Sequence, residues 1–310
     1  MIRWYVILIC PLFFIHADRV DVISDWSITD IQIDWDNQEY FGCKIVQHWD
    51  FNRYVMHREY ETAKKIICMN DIASEKLLPL VSKEKIVMFF WEPLSFSHSY
   101  ATQFSRVYTH NDRLVDGVQY FKLFYPFAVA MTDPIPSFYE KKLATLITFH
   151  WTSEREDVVR FYNQKPSGEF EFYGYNPGDF QNNPMYRGKI PGYHSGPEKN
   201  EVLKQYRFCY CYENSQIPGY ITEKIFACFK AGCVPIYFGA PNILDYIPKN
   251  CLIDFRSFNS LESIYQYIKS MPEEEYNYYL QNIREFIASE KGQIFSPKEF
   301  ENFLRDVIYN

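Results

Sequence analysis

Continuous apolar runs separated by amphipathic segments constrain this chain more than any other feature. The runs are SITDIQIDW, KKIICM, KIVMFFW, RVYTH, LATLITFH, FEFYG, YRFCYCYE, VPIYFGA and CLIDF. Several lack polar alternation, which marks strands covered on both faces, and such strands belong to parallel sheets flanked by helices. Between them NEVLKQY, TEKIFACFKAG, SLESIYQYIKSM and PEEEYNYYLQNIREFIAS carry helical spacing. The class is therefore α/β. The chain has 310 residues, more than one ordinary core holds, which suits two domains. Three prolines in PFAVAMTDPIPSFYEKK interrupt the pattern, so a first domain is expected over 18–135 and a second over 143–290. In SPKEFENFLRDVIYN, Ser296 is a natural N-cap and Pro297 a natural first helical residue. Phe300, Phe303, Leu304, Val307 and Ile308 share one face. A helix is expected over 296–310, and its apolar face must dock on something.

The N-terminus reads MIRWYVILICPLFFIHADR, with Arg3, an apolar run from Trp4 to Ile15, and then Ala17. That run is too short to span a bilayer comfortably and has the character of a secretory leader, although Ile15 stands where a cleavage site wants a small residue. Residues 1–17 are thus expected to be a leader or anchor, which would place the protein on a membrane or in the secretory pathway. The rival reading is a buried first strand, which would leave it cytoplasmic. The net charge is -7, which speaks against nucleic acid as the main partner. Eight cysteines, at 10, 43, 68, 209, 211, 228, 233 and 251, show no paired CxxC spacing. They read as small buried hydrophobes, not as a zinc site or a disulfide framework.

In open parallel sheets ligands bind beyond the carboxyl ends of the strands. Glu92 follows KIVMFFW, His150 and then Arg155 follow LATLITF, and Glu213, Asn214 and Ser215 follow YRFCYCY. Thr222, Glu223 and Lys224 then open a helix, with Thr222 placed as its N-cap. Each residue has a plain explanation: a solvated loop carboxylate for Glu92, an ion pair with Glu154 or Glu156 for Arg155, a surface lysine for Lys224, a turn for Asn214 and Ser215, a structural role for His150. Their shared placement at strand ends favours a site. A lysine in the first turn opposes the helix dipole and so calls for an anion opposite it. No glycine-rich phosphate loop is present, so a diphosphate would be held by Arg155, Lys224 and helix amides. Asp34 and Asp36, in DWD, have the form of a metal-holding DxD but lie far from these residues, so no metal is expected to be required.

Residues 206–256, YRFCYCYENSQIPGYITEKIFACFKAGCVPIYFGAPNILDYIPKNCLIDFR, resemble the α1,3/4-fucosyltransferases, glycosyltransferase family 10. The family pattern runs approximately F-x-x-x-x-E-N-S/T, then Y-x-T-E-K, then P-I-Y-x-G, and weaker likeness extends upstream through VMFFWEP, VYTHNDRLVD and YFKLFYP. The resemblance implies a GT-B fold, two Rossmann-like domains facing a central cleft, with the acceptor mainly on the first and GDP-fucose mainly on the second. It implies Glu92 as general base, Arg155 and Lys224 as neutralisers of the diphosphate, and Asn214, Tyr220 and Glu223 as donor contacts, with no cofactor beyond the donor substrate. Ser-Asn before the family's arginine is replaced here by Phe149-His150, which leaves Arg160 as a rival to Arg155. The chain lacks the C-terminal cysteine cluster of animal members and a long stem after the apolar N-terminus, which weakens a Golgi type II reading. The implied reaction is inverting transfer of fucose to a glycan hydroxyl, with α1,3 linkage to N-acetylglucosamine and an N-acetyllactosamine-type acceptor as the family's suggestion. A transferase of the same fold using another nucleotide sugar, and a non-catalytic carbohydrate-binding protein, stay open as alternatives.

Overall fold

The computed structural model describes residues 18–23, 39–40, 43–48, 50–69, 74–93, 103–175, 177–191 and 196–309. The expected strand SITDIQIDW, Asp34 and Asp36, and residues 1–17 lie outside the described residues. Two sheets organise the rest. The first contains β1 (Asp18–Ile23), β2 (Glu39–Tyr40), β3 (Cys43–His48), β4 (Lys65–Met69), β5 (Ile86–Phe90), β6 (Arg106–Thr109) and β7 (Tyr120–Lys122), in the order β2-β3-β1-β4-β5-β6-β7. All pairings in it are parallel except β2 with β3. Helices α1 (Phe51–Met56) and α2 (Ser74–Leu77) fall between its strands.

The second sheet contains β8 (Lys142–Thr148), β9 (Phe170–Gly174), β10 (Tyr206–Tyr212), β11 (Val234–Phe238) and β12 (Ile253–Asp254), ordered β12-β11-β10-β8-β9 and parallel throughout. Its helices are α3 (Ser153–Tyr162), α4 (Pro197–Lys204), α5 (Glu223–Lys230), α6 (Ile243–Tyr246), α7 (Leu261–Ser270), α8 (Glu273–Ala288), α9 (Glu290–Gln293) and α10 (Pro297–Tyr309). In both sheets the strand order reverses beside the first strand, at β1/β4 and at β8/β10. Such a reversal opens a crevice at the carboxyl edge of the sheet.

The last helix leaves the second unit and returns to the first. Phe303 of α10 packs on Phe89 and Tyr108, with ring centroids 5.3 and 4.6 Å apart, and Phe300 meets Trp91 at 6.4 Å. Arg106 pairs with Asp306 at 3.3 Å. One apolar cluster therefore runs from Val20, Val87 and Phe89 of the first sheet through Phe300 and Leu304 to Cys209, Phe226 and Phe229 of the second. The six described cysteines whose side chains are placed, Cys68, Cys209, Cys211, Cys228, Cys233 and Cys251, are free and buried, as hydrophobes would be. Among the described residues no helix is long and apolar enough to cross a membrane.

Candidate active site

The helix that carries Glu223 and Lys224 begins where Thr222 stops extended backbone and its side chain accepts from the Lys224 N–H. Ile225, Phe226, Cys228 and Phe229 are buried and fix the helix against β10 and β11. The anion that the sequence demanded opposite Lys224 is supplied by the chain itself. Lys224 Nζ lies 3.1 Å from Glu213 Oε2, 3.1 Å from Thr222 Oγ1 and 3.5 Å from Glu223 Oε1. Glu213 also accepts from the Thr222 N–H at 2.9 Å and from its hydroxyl at 2.8 Å. Gly239 makes room for this carboxylate, because a Cβ there would come within 2.5 Å of Glu213 Cγ. An ammonium has three protons, and two of them go to Glu213 and Thr222.

Charge and burial divide the titrations. Burial opposes the Lys224 charge, but Glu213 and Glu223 outweigh it and hold the ammonium above its ordinary value. Burial likewise raises the Glu223 carboxyl, yet Lys224 and Lys199 overcome it and hold it down at about 2. Glu92 goes the other way: burial first, then the like charge of Glu223, push its carboxyl up to about 7 against the pull of Lys224. Glu92 stands just beyond β5 of the first sheet, whereas Glu213, Glu223 and Lys224 stand at the edge of the second. The carboxyl ends of the two sheets therefore meet at one site.

Arg155 follows β8 as expected and lies in the first turn of α3. It is 2% exposed. Its guanidinium donates to the Tyr212 carbonyl at 2.5 Å, to Asn214 Oδ1 at 2.9 Å and to the His150 carbonyl. Burial lowers its pKa, with Glu213 opposing. Its charge thus lies behind Asn214, which is itself exposed. Arg160 is on the outer side of α3, paired with Glu156 at 2.6 Å and Asp157 at 3.3 Å, and does not join the group. His150 is exposed and contributes its carbonyl.

Tyr220 is 2% exposed and lies inside the contact between the sheets, its ring 4.6 Å from His110 and 6.1 Å from Tyr125. Burial pushes the His110 imidazole down to about 4, so it is neutral at neutral pH. Beside it is a polar clamp that the sequence did not single out. Lys122 Nζ, from β7, reaches Asp112 Oδ1 at 2.6 Å, the His110 carbonyl at 2.7 Å and the Gly219 carbonyl at 3.3 Å. From the second unit, Asn242 and the Tyr246 hydroxyl each donate to Asp112 at 2.8 Å, and the Gly219 N–H donates to Asn242 Oδ1 at 2.9 Å. Gly219 has φ +82, and a Cβ there would meet Lys122 Nζ at 2.3 Å and Asp112 Oδ1 at 2.4 Å. The loop carrying Tyr220 and Thr222 is thereby tied to the first sheet. The clue available in the sequence was Asp112 in VYTHNDRLVD, just past a strand end. Among the described residues no group of three or more His, Cys, Asp or Glu side chains is placed to hold a metal ion.

The chain can be set beside known proteins. Residues 141–295, half of it, match the family profile Glycosyltransferase family 10 (fucosyltransferase) C-term. It is 36% identical over 77 residues to an alpha-(1,4)-fucosyltransferase of Arabidopsis thaliana, covering 25% of this chain and 19% of that protein. It is 38% identical over 101 residues to GDP-fucose protein O-fucosyltransferase 3 of Gallus gallus, covering 32% and 20%. The matched stretch thus spans about a fifth of these relatives' length. A crystal structure of an α1,3-fucosyltransferase with GDP-fucose superposes with a TM-score of 0.58 at 17% identity, covering 94% of this chain and 90% of that one. The likeness of the whole chain and the two facing doubly wound sheets establish the GT-B fold. With its strand-end composite matched across the second sheet, the chain belongs to glycosyltransferase family 10.

Proposed function

We propose that this protein is an inverting fucosyltransferase that moves fucose from GDP-fucose to an acceptor hydroxyl. The observation that carries the reading is the meeting of Glu92, whose carboxyl is raised to about 7, with the Glu213, Glu223 and Lys224 cluster of the other sheet. A base with a pKa near the working pH combines availability with driving force. In the reaction the acceptor oxygen attacks the anomeric carbon of fucose while its proton passes to Glu92. The bond from that carbon to the β-phosphate oxygen breaks, and GDP leaves with the electron pair.

Lys224 offers its remaining N–H to the diphosphate, and the start of α5 adds its dipole. Arg155 acts from behind Asn214, as a buried charge. Asn214, Tyr220 and Glu223 border the donor, and the reaction requires no metal. The acceptor is a glycan hydroxyl, for which α1,3 transfer to N-acetylglucosamine in an N-acetyllactosamine-type chain is the first candidate. A second reading, a protein hydroxyl, is favoured by the match to the O-fucosyltransferase of Gallus gallus.

The test is transfer of labelled fucose from GDP-fucose to N-acetyllactosamine and to folded protein acceptors, with and without a strong chelator. Transfer that survives chelation supports the proposal. Protection by UDP in place of GDP would assign another donor, and the absence of any turnover with tight glycan binding would support a carbohydrate-binding protein.

A further inference from the structure

Glu223 borders a second space besides the cleft. Between the first turn of α4 and the length of α5 lies a cavity of about 30 Å³, lined by the polar Lys199, Asn200, Glu223 and Lys230 and by the apolar Phe127 and Phe226 among others. Such a volume admits a hydroxyl or the edge of a ring, not a whole ring. Asn200 is 8% exposed, and its Oδ1 has no hydrogen-bond partner. Its Nδ2 makes one long contact, 3.4 Å to Glu201 Oε1. Turning the amide over exchanges the unpaired atom without satisfying both. Lys199 is 9% exposed. Its charge acts on Glu223, and it makes no hydrogen bond to another described residue. A buried amide oxygen left in this condition costs free energy, and beside the Lys199 side chain on one cavity it calls for a partner that can donate to it.

We propose that Lys199 and Asn200 extend the donor site and bind a polar edge of the nucleoside, one that presents a hydrogen-bond donor beside an acceptor. The inference rests on the GDP-fucose reading above. Asn200 Oδ1 accepts from the donor group, Lys199 Nζ donates to the acceptor, and Glu223 joins this pocket to the cleft that receives the diphosphate. Two parts of GDP carry this chemistry: the vicinal hydroxyls of the ribose, and the edge of guanine, where N1–H and the 2-amino group stand on one side of the C6 carbonyl.

The experiment is calorimetric titration of the whole protein, as parent, Asn200→Leu and Lys199→Met, with GDP, 2′,3′-dideoxy-GDP, inosine diphosphate and pyrophosphate, together with melting temperatures without ligand. Asn200→Leu is expected to weaken GDP about tenfold or more while pyrophosphate binds as in the parent. Its ligand-free melting temperature should equal or exceed the parent's, because an unpaired buried amide gives way to an apolar group of similar size. A structural asparagine would lower it instead. A penalty from Asn200→Leu that vanishes with the dideoxy nucleotide places the ribose in the pocket. One that shrinks with inosine diphosphate places the base there.

Parental GDP affinity in both variants overturns the inference and leaves the donor reading standing, whereas a parent protein that binds no GDP overturns both. Should Asn200→Leu fail to fold, Lys199→Met decides by the same affinity criterion.

Discussion

Glu92 and Glu223 are the same side chain in one site, driven apart by their neighbours: one is raised to about 7 by burial and like charge, the other held at about 2 by two lysines. If Glu92 takes the acceptor's proton it must be ionised, so kcat/KM should rise with pH through about 7 and fall roughly tenfold per pH unit below it. A bound diphosphate adds negative charge nearby, which raises the carboxyl further, so the limb in kcat should sit above the limb in kcat/KM. Glu92→Gln should cost about 100- to 10,000-fold in turnover and abolish that limb. GDP affinity on the same variant should hardly move. Near-parental turnover would remove Glu92 as base. Lys224 belongs to the other partner: Lys224→Ala should abolish most of the GDP-induced rise in melting temperature, and tight GDP binding by that variant would end the phosphate role. The sequence could demand an anion opposite Lys224 from the helix dipole alone, but not name it, because a diphosphate and a carboxylate satisfy the dipole argument equally. Glu213 fills that place by a register that only the folded sheet fixes.

Elements whose two faces are both apolar are legible in the sequence: KKIICM, KIVMFFW, LATLITF, FEFYG, YRFCYCY and VPIYF all form parallel strands. Two that escaped carry a buried charge inside the apolar pattern. β1, DRVDVI, holds Asp21 at 0% exposure, paired with Arg19 at 2.8 Å and with the Tyr54 hydroxyl at 2.7 Å. α3, SEREDVVRFY, turns Arg155 inward with Val158, Val159 and Tyr162, so hydropathy breaks where the helix meets the site. The clamp escaped for a related reason, since its members come from four separate stretches and no local pattern joins them. Its tightest point is testable. Gly219→Ala imposes a positive φ on an L-residue and drives a Cβ onto Lys122 and Asp112, a cost of roughly 1–3 kcal/mol. Both the melting temperature and GDP affinity should fall, since the displaced loop carries Tyr220 and Thr222. Unchanged GDP affinity in a destabilised variant would show that the clamp fastens the two sheets without positioning the donor loop.

Because α10 crosses back to the first sheet, the far end of the chain supports the strand end on which Glu92 stands. Phe300 is 4% exposed and its ring meets Trp91, the residue before Glu92, at 6.4 Å and 85°. Trp91 is also held by Tyr125, whose ring is 4.6 Å away and whose hydroxyl donates to the Trp91 carbonyl. Removing the Phe300 ring empties one wall of that enclosure, and Phe→Ala in a core typically costs about 3–5 kcal/mol. Unfolding entropy grows with length, so for a chain of 310 residues this corresponds to a fall of about 5–8 °C in Tm. The proposed donor residues Asn214, Glu223 and Lys224 are held by polar contacts to Glu213, Thr222 and Arg155. Phe300→Ala should therefore lower turnover well below the assay temperature's unfolding loss while GDP affinity stays within about twofold. Equal losses of turnover and GDP affinity would instead mean that the continuous core moves both edges of the cleft together, and that the base has no separate support.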